Sequence, residues 1–200
     1  MKIFINLFLF LLLFCSEAFA QNDHIKLFVE NIGNEIVKVA NNKTLKDAQK
    51  KSAIIKIIDQ NIDSQWISRF VLGSHYKTID EAKKAKFAEL YRQFMIETYG
   101  PKFNSYNGKS FVVNKIEDQK NFFLAKANFY PQGTNNPISI DFRIKEKNQK
   151  LFVVDFIAEG VSLLETQRSE FDSAITNLGI DKFLNDLELK TQQLKKANKL

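Results

Sequence analysis

The apolar residues of this chain change their spacing twice, and that restricts what it can fold into. Up to about residue 101 they recur every three or four positions, the period of a helix with one buried face. Between residues 110 and 158 the spacing drops to two, the period of a strand. From residue 162 the helical period returns. This order predicts an α+β fold: N-terminal helices, a twisted four-stranded antiparallel sheet, and C-terminal helices packed over it.

Four helices are read before the strands. "IKLFVENIGNEIVKVAN" places Ile25, Phe28, Val29, Ile32, Ile36 and Val37 on one face. "TLKDAQKKSAIIKIIDQNI" opens with Thr44 and Asp47, a start resembling a capping box. "DSQWISRFVLG" gathers Trp66, Ile67, Phe70 and Val71 and ends at Gly73, a C-cap residue. A fourth, longer pattern begins with the box Thr78 to Glu81 and carries Phe87, Leu90, Tyr91, Phe94, Met95 and Tyr99. Gly100-Pro101 is expected to stop it. Lys83, Lys84 and Lys86 read as a solvated face.

Four strand-like runs follow: "SFVVNKIE", "FFLAKANFY", "PISIDFRIK" and "KLFVVDFIA". Phe123, Ala125, Ala127 and Phe129 share one side of the second, and Ile138, Ile140, Phe142 and Ile144 one side of the third. Short links favour a meander with one wet face. The last run is apolar on both sides, so both should be covered. The closing helices are "SLLETQRSEFDSAITNL" and "IDKFLNDLELKTQQL", with "KKANKL" read as a frayed tail.

The N-terminus carries an address. Lys2, the run "IFINLFLFLLLFC" and the small-x-small site Ala18-Phe19-Ala20 make residues 1–20 a cleavable signal peptide. The run is short for a bilayer span, which takes about 20 apolar residues. Residues 21–200 then form one domain. Cys15, the only cysteine, leaves with the leader, which excludes thiol catalysis and cysteine metal sites. An exported chain without a disulfide suits the bacterial periplasm. Lys2 and Glu17 cancel, so the net charge stays +6. The lysines are spread over several helices without the arginine-aromatic platform of nucleic-acid binders, so no nucleic acid is expected. Five of the 19 phenylalanines fall in the leader and 14 remain. Phenylalanine has no polar handle, so each must be buried or face something apolar.

Little in the chain suggests catalysis. Its two histidines, His24 and His75, are isolated, and no nucleophile elbow, zinc-protease motif or phosphate loop occurs. No cofactor and no metal site are expected. Asp141 alternates to the polar side of its strand. In "FIAEGVSLLETQRSEF", Ser162 and Glu165 form a capping box and Gly160 sits at the strand-to-helix corner. Glu159 flanks the positive helix end, and Arg168, two turns on, can reach back to Glu159 or Asp155 as a clamp.

This stretch resembles the D-V-x-x-E-G-V-S-L-x-x-x-x-R-x-x-F core of the MlaC family of periplasmic phospholipid-binding proteins, also called toluene-tolerance proteins. The matching residues are Asp155, Glu159, Gly160, Val161, Ser162, Leu163, Arg168 and Phe171. "FVLG" (Phe70 to Gly73), the capped helix from Thr78 and "ETYG" with Tyr99 also follow the family layout. Leu151 stands where such families often carry Trp, Phe142 where they carry Tyr, and "GSHY" replaces a more basic, aromatic segment.

The resemblance implies a carrier and not an enzyme. It would ferry phospholipid between an outer-membrane Mla lipoprotein complex and an inner-membrane Mla ABC transporter complex, maintaining outer-membrane asymmetry. The acyl tails would occupy a pocket between the sheet and the helix of Phe87 to Tyr99. The wall candidates are Phe123, Ala125, Phe129, Ile140, Phe142, Phe94 and Tyr99, with Phe70 and Leu72 nearby. Ala125 and Ala127 would leave room between larger neighbours. The residues alone do not separate a lined cavity from a filled core. Two other functions fit the same pattern: an NTF2-like isomerase using Asp155 with Tyr91 or Tyr99, and a periplasmic chaperone or membrane adaptor without a ligand.

Overall fold

A computed structural model describes residues 2–104, 108–134 and 136–198. Four helices precede the strands: α1 (Lys2–Ala40), α2 (Asp47–Asn61), α3 (Ser64–Leu72) and α4 (Glu81–Asn104). A 3₁₀ turn, Gly73–Lys77, separates α3 from α4. The sheet consists of β1 (Gly108–Asp118), β2 (Phe123–Pro131), β3 (Ile138–Lys147), β4 (Lys150–Ala158) and β5 (Val161–Ser162), antiparallel and in sequence order. Helices α5 (Leu163–Leu178) and α6 (Ile180–Ala197) close the chain. The segment expected as a leader forms the first half of α1.

The sheet has five strands rather than four. Glu159 and Gly160 both take positive φ, 50° and 83°, and Ala158 pairs with Val161. That is a two-residue hairpin turn, which folds the chain back into a two-residue strand before α5 starts. The sequence shows the corner at Gly160, but two paired residues are too few to show a period. The tight turn at "EKNQK" has the same geometry, with Asn148 and Gln149 at φ 52° and 61°.

Four helix ends differ from expectation. α2 starts after Lys46, whose N–H donates to Gln49 Oε1 (2.9 Å), while Thr44 bonds Asn42. α4 is capped by Asp80, which accepts from the Lys83 N–H (2.8 Å); Thr78 donates to the His75 carbonyl instead. α4 also runs through Pro101. Proline cannot donate to the carbonyl four residues back, and Asn198 Nδ2 supplies that bond to the Glu97 carbonyl at 2.8 Å. The expected frayed tail is therefore helical to Ala197 and tied to α4; its last two residues lie outside the described residues.

Two apolar clusters form. One joins Val71 and Leu72 of α3 and Phe87, Leu90, Tyr91 and Phe94 of α4 to Leu164, Phe171, Phe183 and Leu187 of α5 and α6. The other packs Ile25 and Val29 of α1 on Phe111, Ala125, Ala127, Phe129, Ile140 and Ile144 of the sheet. The lysine run is not simply solvated: Lys83 and Lys86 pair with Asp181 and Glu188 of α6 at 2.8 and 3.0 Å, and Lys84 with Glu81 at 2.7 Å.

Candidate functional site

Between the two clusters lies a cavity of about 630 Å³ that opens to the surface. Its walls follow helical spacing. Val29, Ile32, Gly33, Ile36 and Val37 of α1 line it, as do Ile55, Ile58 and Ile62 in and just after α2. α4 contributes Ala88, Tyr91, Met95, Ile96, Tyr99 and Gly100, a face next to the one that packs on α5 and α6. The sheet contributes Phe111, Phe129, Ile140, Phe142, Val153, Val154 and Phe156. Helix spacing thus gives α4 two apolar faces: one packs on α5 and α6, and the other borders the cavity.

Charge is scarce and paired. Arg92 of α4 grips Asp59 of α2 through Nε–Oδ1 (3.0 Å) and Nη2–Oδ2 (2.5 Å), and both side chains are about a third exposed at 38% and 33%. This fork spans α2 and α4 at the solvent side of the cavity. The Tyr91 hydroxyl donates to Gln167 Oε1, and Gln167 Nε2 reaches Met95 Sδ at 3.3 Å. Burial raises the Tyr91 pKa above its ordinary range, with the nearby Tyr99 and Asp155 adding to the shift. Burial raises Tyr99 too, aided by Glu170 and opposed by its hydrogen bond with Gln167. Both phenols stay neutral.

Among the described residues, Asp155 is the one buried carboxylate on the cavity wall, its side chain 2% exposed. Its oxygens accept from Ser162 Oγ (2.6 Å), the Leu164 N–H (3.1 Å), the Phe156 N–H (2.8 Å) and Arg143 Nη1 (2.8 Å). Ser162 Oγ in turn accepts from the Glu165 N–H at 3.0 Å. The carboxylate thereby holds the start of α5 onto β4, where the positive helix end favours an anion. With four donors on it, this carboxylate is engaged in holding α5 to β4.

The clamp is real, but its cation differs from the expected one. Arg143, from β3, bridges Asp155 and Glu165. A register shift after Arg143 places it opposite Asp155 and makes the bulge that turns Asp155 toward α5. Arg168 instead lies over the Phe70 ring, 4.9 Å from its centre. Glu159 is exposed, its N–H donating to the Ser139 carbonyl at 3.4 Å.

Of the residues read as pocket walls, Tyr99, Phe129, Ile140 and Phe142 line the cavity. Leu72 and Phe94 are buried in the helical cluster, and Phe70 packs against it. Phe123, Ala125 and Ala127 belong to the sheet cluster under α1. Ala125 is fully buried there, so the space beside it is taken by its own neighbours and a Trp at that position would collide with them. The walls from α1 and α2 were legible as apolar stripes; that those stripes face a void depends on packing.

Comparison with known proteins agrees with this architecture. The family described as MlaC protein matches residues 30–189. A solved structure of a phospholipid-binding protein from Ralstonia solanacearum, in complex with a phospholipid, superposes with a TM-score of 0.74. It is 15% identical, and the match covers 85% of this chain and 98% of that one. With the family match running from α1 to α6, this chain belongs to the MlaC family.

Proposed function

We propose that this protein is a phospholipid carrier of the periplasm, exported by its N-terminal leader. The acyl tails occupy the cavity, and the headgroup lies toward solvent near the Arg92–Asp59 fork. The carrier moves lipid between the outer-membrane Mla lipoprotein complex and the inner-membrane Mla ABC transporter complex, supporting outer-membrane asymmetry. It performs no chemistry on its cargo.

The observation that carries this reading is the cavity: about 630 Å³, walled by Ile, Val, Met and Phe, with its charges paired. Ligand pockets fall at roughly 300–1,000 Å³. Apolar walls left facing water cost about 25 cal/mol per Å² of exposed apolar surface. A guest that covers them removes that cost. From the lipid's side, each CH₂ taken out of water is worth about 0.8 kcal/mol, so a tail crosses an aqueous compartment only under cover.

The test is organic extraction of the purified, membrane-free protein followed by lipid mass spectrometry. The expected result is phospholipid near one molecule per chain. Protein recovered with no lipid, and taking none up from vesicles, would end this reading.

A further inference from the structure

Helix α2 walls the cavity while burying little of itself. Ile55, Ile58 and Ile62, in and just after it, line the space, yet Ile54 alone of its 15 residues is buried. Its C-terminal end is fixed to the sheet: Ile62 bridges Val153 of β4, and Lys147 Nζ donates to Asp63 Oδ2 at 3.0 Å. Toward α4 it is held by the Arg92–Asp59 and Lys51–Glu97 pairs. The Lys51 stem crosses α4 at the cavity itself, where a Cβ on the lining residue Gly100 would lie 3.1 Å from Lys51 Cε. A segment with so little buried apolar surface belongs to the low-stability end of a fold.

The outer side of this wall is cationic. Residues 43–62 hold five lysines, two aspartates and no arginine. Lys51 and Asp59 are spent on α4. Lys43, Lys46 and Lys56 are exposed and Lys50 is half-buried, and none of these four ammonium groups has an ion-pair partner among the described residues. The lysines at the start of α4 behave otherwise: Lys83, Lys84 and Lys86 are all paired. Asp47 is the carboxylate that remains on the stretch, so four unpaired cations stand against one anion.

We propose that α2 and its lead-in, from Lys43 to Lys56, dock on the surface of an anionic phospholipid bilayer, with headgroup phosphates as the partners of the four free lysines. The purpose of this docking rests on the carrier reading: it sets the α2 wall of the cavity against the layer that supplies or receives the lipid. The charge of the stretch matches that surface. A lysine ammonium is a point charge on a flexible stem with no fixed geometry to satisfy, which suits a fluid array of phosphates. A carboxylate fixed on a folded partner is better met by the planar fork of an arginine, and the stretch has none. Lysines placed outside an apolar stripe are the pattern of a helix that lies along a membrane surface.

The test is co-flotation of the purified, membrane-free protein with vesicles of phosphatidylcholine alone and of phosphatidylcholine with about one third phosphatidylglycerol. The wild type should bind the anionic vesicles and not the neutral ones, and high salt should release it. A triple variant, Lys46→Gln with Lys50→Gln and Lys56→Gln, should lose about tenfold or more in vesicle affinity. A control triple that removes the same charge elsewhere, Lys77→Gln with Lys120→Gln and Lys150→Gln, should stay within about twofold of the wild type, because screening confines the attraction to charges near the surface. Equal binding of the wild type to both vesicles overturns the proposal, and so does an equal loss in the two triples. Binding of a capped tetraglutamate peptide that depends on the α2 lysines, with no binding to vesicles, would give the surface to an acidic protein and overturn it as well. The carrier reading is separable: vesicle binding through α2 without any co-purified lipid would end that reading and uphold this one, and co-purified lipid with equal losses in the two triples would do the reverse.

Discussion

Helix α4 separates two apolar regions that are alike in sequence and opposite in content. On one face, Phe87, Tyr91 and Phe94 meet Phe171 and Phe183, with ring centroids 5.0 to 6.3 Å apart in stacked and edge-on pairs. That side is filled. On the adjacent face, Ala88, Met95, Ile96 and Tyr99 look across a void at Ile32, Ile36, Ile55 and Ile58. Rings from three helices interlock because each offers a flat face and an edge to the next. Isoleucine walls on α1 and α2 have no such partner across the gap. Two polar ties, Arg92–Asp59 and Lys51–Glu97 (3.2 Å), link α2 to α4. Apolar content therefore says little about occupancy; the shape of the facing surfaces decides it.

The largest effect should come from emptying the filled side. Phe87→Ala should cost about 3–5 kcal/mol, while Ile58→Ala, whose side chain already borders the void, should cost about 1–2 kcal/mol. Urea unfolding midpoints with equal slopes measure both, and equal losses would erase the distinction between the regions. Tyr91→Phe comes next. It joins the two regions through Gln167, and removing its hydroxyl leaves a buried amide short of a donor, at about 1–3 kcal/mol.

Filling the void should behave differently. Ile36→Trp should disturb stability by less than the roughly 1–3 kcal/mol of overpacking a closed core, yet co-purified lipid should fall severalfold by mass spectrometry. A large stability loss with unchanged lipid would mean that position 36 borders packed atoms rather than cargo.

The smallest effect concerns the tie at the far end of α4. Burial works against the charged Glu97 carboxyl, but hydrogen bonds from Asn198 and Lys51 outweigh it and hold its pKa below the usual value. A carboxyl lowered in the folded state adds stability above its unfolded pKa, and that contribution is lost as pH falls through the folded value. Asn198→Ala should reduce this contribution, costing about 1 kcal/mol or less near neutrality and moving the acid-unfolding midpoint slightly upward. Circular dichroism across an acid titration checks the sign.

The carboxylate network shows how far local reading reaches. Ser162 was legible as the α5 cap because capping needs only residues three apart, and Ser162 Oγ does accept the Glu165 N–H. The cation opposite Asp155 was not legible. Arg143 reaches it across a strand pair whose register shifts by one residue, and no spacing along the chain records that shift. Arg168, nearer in sequence, rests on Phe70 instead. In the same way, Phe70, Leu72 and Phe94 have the composition of a pocket wall but rest in or against the helical cluster.

The sequence by itself determined the order and type of the elements, most of their ends, and which side of each is apolar, because those properties arise from neighbours within a turn of helix or a pair of strand residues. Tertiary structure alone decided which apolar faces meet and which stand apart around 630 Å³ of space. That outcome depends on distances between α1, α2, α4 and the sheet, which are set jointly by ring packing, strand register and a few ion pairs, and no local pattern carries such a sum.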